Sequence, residues 1–436
     1  MGQIFRGGTL VLCDAAHQIL EDYDLLVEEG RIAALKPSGR LEADGHEVVD
    51  VAGKVVVPGF VQAHVHLVQA LFRGMADDLA LLDWLRTRIW PLERAHDEES
   101  AYWSARVGLT EMLLAGTTAI LDMATVRHTD AVFRAAEEVG LHAFIGNAMM
   151  DRDNEAGLGA SLDDNLVEAE RLRTAWHGRG NLRFAYAPRF VPSCSDDLLR
   201  ETGRLAREHG CMIHSHASEN RDEVALVREL SGRDNIVHLH ELGLTGKDVA
   251  LAHCIHLTDD EERILAETDT TVVHCPGSNA KLASGLCRVP ELRTRGIRCA
   301  LGADGAPCNN RMDPFAEMRL AALIQKPRLG AESMPARDAL HMATAAGADA
   351  LGLNGGRLAV GRDADLVVLE PNLVHSLGGG PADSAIVYAM TPANVRQVYI
   401  GGRRTVSEGG VVGWDTAETV REAIAALQRV RRRASL

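Results

Sequence analysis

The sequence contains a histidine pair, His64-Val65-His66, at the end of a short apolar segment typical of a β-strand. Residues i and i+2 of a strand face the same side, so the two imidazoles share one direction. At the carboxyl end of a barrel of parallel strands, such a pair faces the place where these folds keep their active sites. An H-x-H pair alone is common, and further ligands are needed to identify a metal site.

Other histidines and one aspartate also follow predicted strands. His214 and His216 end the fifth strand, His253 the sixth and His274 the seventh, and Asp304 follows the eighth. A buried polar group without a partner costs roughly 2–7 kcal/mol, so these positions do not suit an ordinary apolar core. Imidazoles with a carboxylate are ligands of Zn²⁺, or of Fe²⁺ at a similar site. We predict a bound divalent metal ion, with Zn²⁺ expected and Fe²⁺ as the alternative.

Glu219 follows His216 by three residues. A metal ion lowers the pKa of bound water toward neutrality, and a nearby carboxylate can take that proton and deliver it to a leaving group. The alternative is a surface glutamate that opens the next helix, which begins near Asn220. The surrounding histidines favour the catalytic interpretation.

Strands and helices alternate through the middle of the chain. Between the predicted strands lie helical patterns such as Glu98–Leu114, and this alternation favours parallel strands with crossover helices. Eight repeats fit a closed (β/α)₈ barrel, and a doubly wound sheet with a glycine-rich phosphate loop is the alternative, although no G-x-G-x-x-G follows the first strand. The predicted strands are Val55–His66, Thr117–Met123, His142–Met149, Leu182–Pro188, Cys211–His216, Val249–Cys254, Thr270–His274 and Ile297–Ala303.

Both ends of the chain have a different pattern, with short alternating strands between glycine-containing turns. We therefore predict an α/β protein in which a TIM-type (β/α)₈ barrel carries a small β-sandwich domain formed from both chain ends. The predicted limits are 1–57 for the first part of the sandwich, 58–352 for the barrel, and 353–436 for the second part with a C-terminal helix.

The composition narrows the function classes. The 436 residues include 46 Lys and Arg against 61 Asp and Glu, a net charge of −15, which disfavours broad contact with nucleic acid or anionic membrane. No apolar segment is long enough to span a bilayer, and the start of the chain lacks the pattern of a secretory signal. The 8 Cys form no C-x-x-C pair. We expect reduced thiols and a cytoplasmic location.

Taken together, these motifs resemble the amidohydrolase superfamily, in its branch of purine and s-triazine aminohydrolases and chlorohydrolases. The resemblance spans almost the whole chain and implies the barrel with its β-sandwich. The matching segments are PGFVQAHVHL (58–67), HASEN (216–220), LAHCIHL (251–257), HCPGSNAKLASG (274–285), LGADGAPCNN (301–310) and GRLAVGRDADLVVLE (356–370).

The resemblance implies roles for individual residues. Glu219 would shuttle protons and contact the substrate, and His253 would hydrogen-bond the attacking water or serve as a fifth ligand. Asp304 would also help to take the proton of the water. A single ion is expected, because a second would need a bridging Lys, and only Lys36 and Lys54 precede His216. The metal ligands implied are His64, His66, His216 and Asp304.

The resemblance divides over the substrate. Gln69, Arg189 and Phe190 are similar to guanine deaminases, where they would read and stack a purine base. Glu93 is similar to deaminases of S-adenosylhomocysteine, methylthioadenosine and 5'-deoxyadenosine, where it would bind ribose hydroxyls; the alternative is a carboxylate at a helix start. The Asp304–Asn310 segment is shared with triazine hydrolases.

We therefore expect an aminohydrolase that acts on carbon–nitrogen bonds of cyclic amidines. Its expected substrate is an aminopurine, either a guanine-like base or a 5'-modified adenosine nucleoside, and an s-triazine is the alternative. We expect no nucleic-acid or membrane partner and a homo-oligomer, a dimer or a tetramer. A non-catalytic heterocycle-binding barrel and an amidase with a second metal are the other hypotheses.

Overall fold

The computed structural model describes residues 2–152 and 157–436, which group into two compact units. The first unit contains the chain up to Gln62 together with Thr110–Ala119 and Asp313–Thr416. The second contains Ala63–Leu109, Ile120–Met312 and Ala417–Leu436. The domain limits predicted above, at residues 57 and 352, stay a prediction.

The strands belong to two sheets, one built near the chain ends and one built from largely buried strands in the middle of the chain. In chain order they are β1 (Gly2–Val11), β2 (Ile19–Glu28), β3 (Arg31–Pro37), β4 (His46–Asp50), β5 (Val55–Pro58), β6 (Phe60–His66), β7 (Thr117–Met123), β8 (His142–Gly146), β9 (Ala148–Met149), β10 (Leu182–Pro188), β11 (Met212–Ala217), β12 (Val249–His253), β13 (Thr271–His274), β14 (Cys299–Leu301), β15 (Asp304–Gly305), β16 (Leu366–Leu369), β17 (Val395–Ile400), β18 (Arg403–Ser407) and β19 (Gly410–Val411).

The first unit contains a nine-stranded sheet to which both ends of the chain contribute. Its order is β19-β18-β17-β16-β5-β1-β2-β3, and β4 pairs with β1. The two ends meet where β16 runs antiparallel to β5, with Val367 opposite Val57. Glu29 and Gly30, both with positive φ, connect β2 to β3 as a tight two-residue turn. The prediction that both chain ends form one β-rich part is confirmed.

The middle strands form a parallel sheet in the order β14-β13-β12-β11-β10-β8-β7-β6-β15. Two of its strands are interrupted: β8 continues as β9, and β14 continues as β15, so the sheet has eight strands by position. The eighth strand joins the two edges of the sheet. Its first part, β14, pairs with β13, and its second part, β15, pairs with β6, where Asp304 lies opposite Val65. The strands β6 and β7 are buried along their whole length, on both faces, and so do not alternate between buried and exposed residues. The predicted (β/α)₈ barrel is confirmed.

Helices separate the strands, and their starts carry recognisable capping residues. Asn220 with Glu223 forms a capping box at the helix Arg221–Ser231, and Thr258 with Glu261 forms another at the helix Asp259–Glu267. The helices are α1 (Leu81–Trp84), α2 (Trp90–Arg94), α3 (Glu98–Leu114), α4 (Thr129–Val139), α5 (Leu162–Trp176), α6 (Asp196–His209), α7 (Arg221–Ser231), α8 (Asn235–Glu241), α9 (Asp259–Glu267), α10 (Pro276–Lys281), α11 (Val289–Thr294), α12 (Ala306–Asn309), α13 (Pro314–Leu329), α14 (Ala336–Met342), α15 (Ala345–Ala350), α16 (Ala382–Tyr388) and α17 (Thr416–Ala434).

Several short segments complete the chain: 3₁₀ turns at Leu67–Phe72, Val191–Ser193 and Pro392–Asn394, and a π-helical turn at Leu85–Ile89. Within the part of the chain that the structure describes, no helix is both long enough and apolar enough to cross a membrane.

Candidate active site

Three barrel strands bring the predicted metal ligands together. His64 and His66 end β6, His216 lies near the end of β11, and Asp304 opens β15. The Oδ1 atom of Asp304 lies 3.3 Å from Nε2 of His64 and 3.4 Å from Nε2 of His66. The Nε2 atoms of His66 and His216 are 3.2 Å apart. Four side chains that are far apart in the sequence thus converge on one point.

The hydrogen bonds of these rings show what they can bind. Nδ1 of His66 lies 2.7 Å from the carbonyl oxygen of Met123, and Nδ1 of His216 lies 2.7 Å from that of Arg189. A carbonyl only accepts, so each Nδ1 carries the proton and each Nε2 of the neutral ring presents a lone pair. Two lone pairs that face each other beside a carboxylate favour a cation between them.

Burial sets the ionisation that a metal ion needs. It lowers the pKa of His66 to about 4 and, with help from neighbouring histidines, the pKa of His216 well below its usual value. Burial alone would raise the pKa of Asp304, but the close contact with His64 and the nearby rings hold that pKa well below the usual range. Neutral imidazoles and an ionised carboxylate are the forms that bind metals. The residues present therefore fit a divalent metal ion.

The geometry includes two overlapping groups of ligand atoms. One group is His64, His66 and Asp304, and the other is His64, His216 and His253. Within each group the ligand atoms lie within 4.8 Å of one another. The buried Nε2 of His64, which belongs to both groups, has no hydrogen-bond partner in the described structure. This unsatisfied nitrogen is the atom that a metal ion would satisfy.

Unusual backbone conformations accompany the site. His253 has φ of 72° and Asp304 has φ of 63°, both in the left-handed region. Such residues cost on the order of 1–3 kcal/mol each and cluster where function holds the backbone in place. Gly302 lies between β14 and β15, where an added Cβ would lie 2.7 Å from the carbonyl oxygen of His64. Only glycine allows the last strand to approach His64 this closely.

Glu219 is buried at this site rather than exposed on the next helix, which begins two residues later at Arg221. Its Oε2 lies 3.4 Å from Nε2 of His253, and its Oε1 accepts a hydrogen bond of 3.1 Å from Oγ of Ser284. Burial raises the pKa of Glu219 to about 7. A carboxyl group with this pKa can both take up and release a proton near neutral pH.

His253 differs from the other rings of the site. Its Nδ1 lies 2.8 Å from Oδ1 of Asn279, and its Nε2 faces Glu219 and, at 3.9 Å, Oδ2 of Asp304. Burial would lower the pKa of His253, but the two carboxylates raise it above the usual value. When both of its ring nitrogens are protonated, His253 directs Nε2–H toward the two carboxylates.

A small cavity opens onto these residues. Its lining combines the polar groups of the site, apolar side chains and residues predicted to bind substrate. The lining residues are His66, Gln69, Leu81, Trp84, Leu85, Arg189, Phe190, His216, Glu219, His253, Leu282 and Asp304.

Glu93 does not line the cavity, but it accepts hydrogen bonds from two residues that do, Arg189 and Gln69. Its carboxylate accepts hydrogen bonds of 2.7 and 3.1 Å from the guanidinium of Arg189, and one of 2.8 Å from Nε2 of Gln69. All three side chains are buried. This leaves the buried Oε1 of Gln69 without a hydrogen-bond partner in the described structure.

Sequence reasoning left several site residues without a role. His214 lies 2.6 Å from His64, and Asn279 and Ser284 support His253 and Glu219. The last two lie within the HCPGSNAKLASG segment, which was the signal available for them. His274 is buried, does not line the cavity, and has no hydrogen-bond partner for either ring nitrogen in the described structure.

Comparisons with known proteins identify the family of the chain. The model of the amidohydrolase family matches residues 55–405. A 5'-deoxyadenosine deaminase of Methanothermobacter thermautotrophicus is 39% identical over 389 residues, which are 88% of this chain and 89% of the relative. A 5-methylthioadenosine/S-adenosylhomocysteine deaminase of Syntrophobacter fumaroxidans is 38% identical over 384 residues, 87% of each chain.

Solved structures show the same architecture. An adenosine deaminase of Xanthomonas campestris with bound zinc superposes with a TM-score of 0.92 at 30% identity, covering 99% of this chain and 98% of the other. Guanine deaminase of E. coli superposes with a TM-score of 0.86 at 28% identity, covering 94% of this chain and all of the other, 100%. A triazine hydrolase variant, at 22% identity and a TM-score of 0.92 over 98% and 99% of the two chains, shares the fold.

The matched family model spans most of the chain, and the curated relatives named above are deaminases. The predicted resemblance is therefore confirmed, and so is the predicted reaction class of carbon–nitrogen hydrolysis. The chain belongs to the amidohydrolase family.

Proposed function

We propose that this protein is a metal-dependent hydrolytic deaminase of an aminopurine. The observation that carries the proposal is the position of Glu219. Its carboxyl group lines the same cavity as His66, His216 and Asp304, and it faces Nε2 of His253 at 3.4 Å. A proton-transfer group with a pKa near 7 thus stands beside a set of metal ligands, as hydrolysis at neutral pH requires.

The metal ion would be held by His64, His66, His216 and Asp304. A divalent ion such as Zn²⁺ supplies Lewis acidity that activates water at neutral pH. Zinc is supported by the zinc bound in the Xanthomonas campestris adenosine deaminase and by the imidazole-rich ligand set. Iron(II) accepts the same ligands and is the alternative.

Residues of the chain then transfer the protons. Water adds to the ring carbon that bears the amino group, and Glu219 and Asp304 are the carboxylates placed to accept its proton. Glu219 delivers a proton to the substrate, the carbon–nitrogen bond breaks, and ammonia leaves while the ring gains an oxygen. His253 donates a hydrogen bond from Nε2 to the charge that develops on the attacking oxygen.

Two observations bear on the form of the aminopurine. The curated relatives named above act on 5'-deoxyadenosine, methylthioadenosine and S-adenosylhomocysteine, which supports a 5'-modified adenosine nucleoside as the first candidate. The cavity supports a guanine-like base as the second. Both carboxylate oxygens of Glu93 are engaged by Arg189 and Gln69, so ribose hydroxyls would have to compete with a buried ion pair.

Ammonia release from a defined panel tests the proposal. The panel contains guanine, adenine, 5'-deoxyadenosine, methylthioadenosine, S-adenosylhomocysteine and melamine, and it is run with zinc-loaded protein. We expect turnover of the adenosine nucleosides, with guanine as the next substrate. Release from melamine alone would favour the s-triazine alternative, and no ammonia from any compound would contradict the proposal.

A further inference from the structure

We propose that His214 is a positioning residue that fixes the proton of His64 on the nitrogen remote from the metal. The inference rests on the metal site of the proposed function. Nε2 of His214 lies 2.6 Å from Nδ1 of His64, and both side chains are completely buried. The two residues come from β11 and β6, and His214 shares a strand face with His216, two residues later.

Counting protons shows why His214 matters. A neutral imidazole carries one proton, so His64 can offer Nε2 to a metal ion only when its proton is on Nδ1. That N–H then donates to Nε2 of His214, which must be bare. In the same way, the carbonyl oxygens of Met123 and Arg189 accept hydrogen bonds from Nδ1–H of His66 and His216, respectively. His214 therefore completes a set of three acceptors behind the three metal-binding rings.

His214 differs from a carbonyl because it can also donate. In the opposite arrangement, Nε2–H of His214 donates to Nδ1 of His64, and the proton of His64 sits on Nε2, where it faces Oδ1 of Asp304 at 3.3 Å. That arrangement blocks the metal site. The net charge is the same in both, since each ring keeps one proton.

At Nδ1 of His214, the ring nitrogen that faces away from His64, no hydrogen bond in the described structure favours either arrangement. Its Nδ1 is buried and has no partner in the described structure. Metal binding selects the open one, in which the proton of His214 sits on Nδ1.

Two substitutions distinguish a role of His214 as a hydrogen-bond acceptor from a role in filling space. The amide oxygen of Gln lies near the position of Nε2, so His214→Gln keeps an acceptor for His64, whereas His214→Phe keeps the ring and loses the acceptor. We expect His214→Phe to bind zinc about 10–100-fold more weakly and His214→Gln to stay within about threefold of the unchanged protein. The measurement is competition for zinc against a chromophoric chelator.

A matched control is His274→Phe, because His274 is also a buried barrel histidine but contacts none of the proposed ligands by hydrogen bond. We expect it to leave zinc affinity within about threefold. Equal affinity of His214→Phe and the unchanged protein would overturn the inference and leave the proposed function standing, and so would a His214→Gln as weak as His214→Phe. If the unchanged protein binds no metal, the proposed function fails as well.

A second measurement needs no variant and covers a His214→Phe protein that does not fold. Nitrogen-15 NMR of histidine-labelled protein distinguishes the two tautomers of a neutral ring. With zinc bound, we expect His214 to carry its proton on Nδ1. A proton on Nε2 of His214 in the zinc-bound protein would overturn the inference.

Discussion

The Nε2 atoms of His66 and His216 lie 3.2 Å apart, although the Nδ1 atom of each ring is held by a backbone carbonyl 2.7 Å away. The two bare nitrogens therefore repel each other until a cation lies between them. Strands β6 and β11 hold the two rings in place, so the repulsion lowers the stability of the metal-free folded state. Metal binding removes this repulsion.

Metal removal should therefore destabilise the protein. A ligand that binds only the folded state adds about 4 kcal/mol when its concentration is 1,000 times its dissociation constant. We expect chelation to lower the melting temperature and zinc to restore it, measured by calorimetry. His216→Gln serves as the control, since it should show a much smaller response. An unchanged melting temperature on chelation would argue against a metal at this site.

Replacing Glu219 by Gln should abolish turnover while the metal stays bound. The amide keeps the size of the side chain but cannot carry a proton, and loss of general acid–base catalysis costs about 10²–10⁴-fold in rate. The checks are kcat from ammonia release and zinc content by mass spectrometry. Glu262→Gln is a matched control, because this buried glutamate pairs with Arg295 and does not line the cavity. Full activity of Glu219→Gln would refute the proton-transfer role.

The Glu93–Arg189 pair should show strong coupling in a double-mutant cycle. Glu93→Gln leaves the buried guanidinium without its counter-charge, and Arg189→Met leaves the buried carboxylate alone. Each should destabilise the protein by about 3–5 kcal/mol, and the double variant by clearly less than the sum. Urea denaturation measures all four proteins. Additive losses would mean that the two groups do not stabilise each other.

Asp122 should make stability depend on pH. It is buried, its Oδ1 accepts a hydrogen bond of 2.7 Å from the backbone N–H of Leu67, and burial raises its pKa to about 8. Between the ordinary carboxyl pKa near 4 and pH 8, the folded state keeps a proton that the unfolded state has lost. This contribution therefore falls as the pH rises through that window, by up to about 1.4 kcal/mol per pH unit.

Asp122→Asn should flatten this dependence. The amide oxygen can still accept from Leu67, and no buried charge forms, so the variant should be more stable than the unchanged protein at pH 8 and similar at about pH 4. Chemical denaturation at several pH values measures the difference. Asp44→Asn, at an exposed position, is the control and should follow the unchanged protein. A variant as pH-dependent as the unchanged protein would show that Asp122 does not titrate in this window.

Sequence patterns predict the scaffold and the neighbourhood of the site for a physical reason. Parallel strands buried on both faces are continuous apolar segments, and a polar residue at the end of such a segment stands out. His64, His66, His253 and Asp304 are visible in this way, and a barrel brings the carboxyl ends of all its strands to one rim. Their roles as ligands and proton carriers stay predictions until metal and turnover are measured.

The sequence by itself determined the family, the barrel and which side chains meet at its rim, because strand periodicity and strand ends are local properties. Only the tertiary structure decided what those side chains do to one another. His64 meets His214 across 150 residues, and Glu93 meets Arg189 across 96. Such contacts depend on side-chain direction and on distances of a few tenths of an ångström, which the packing of the whole barrel sets and no short segment encodes.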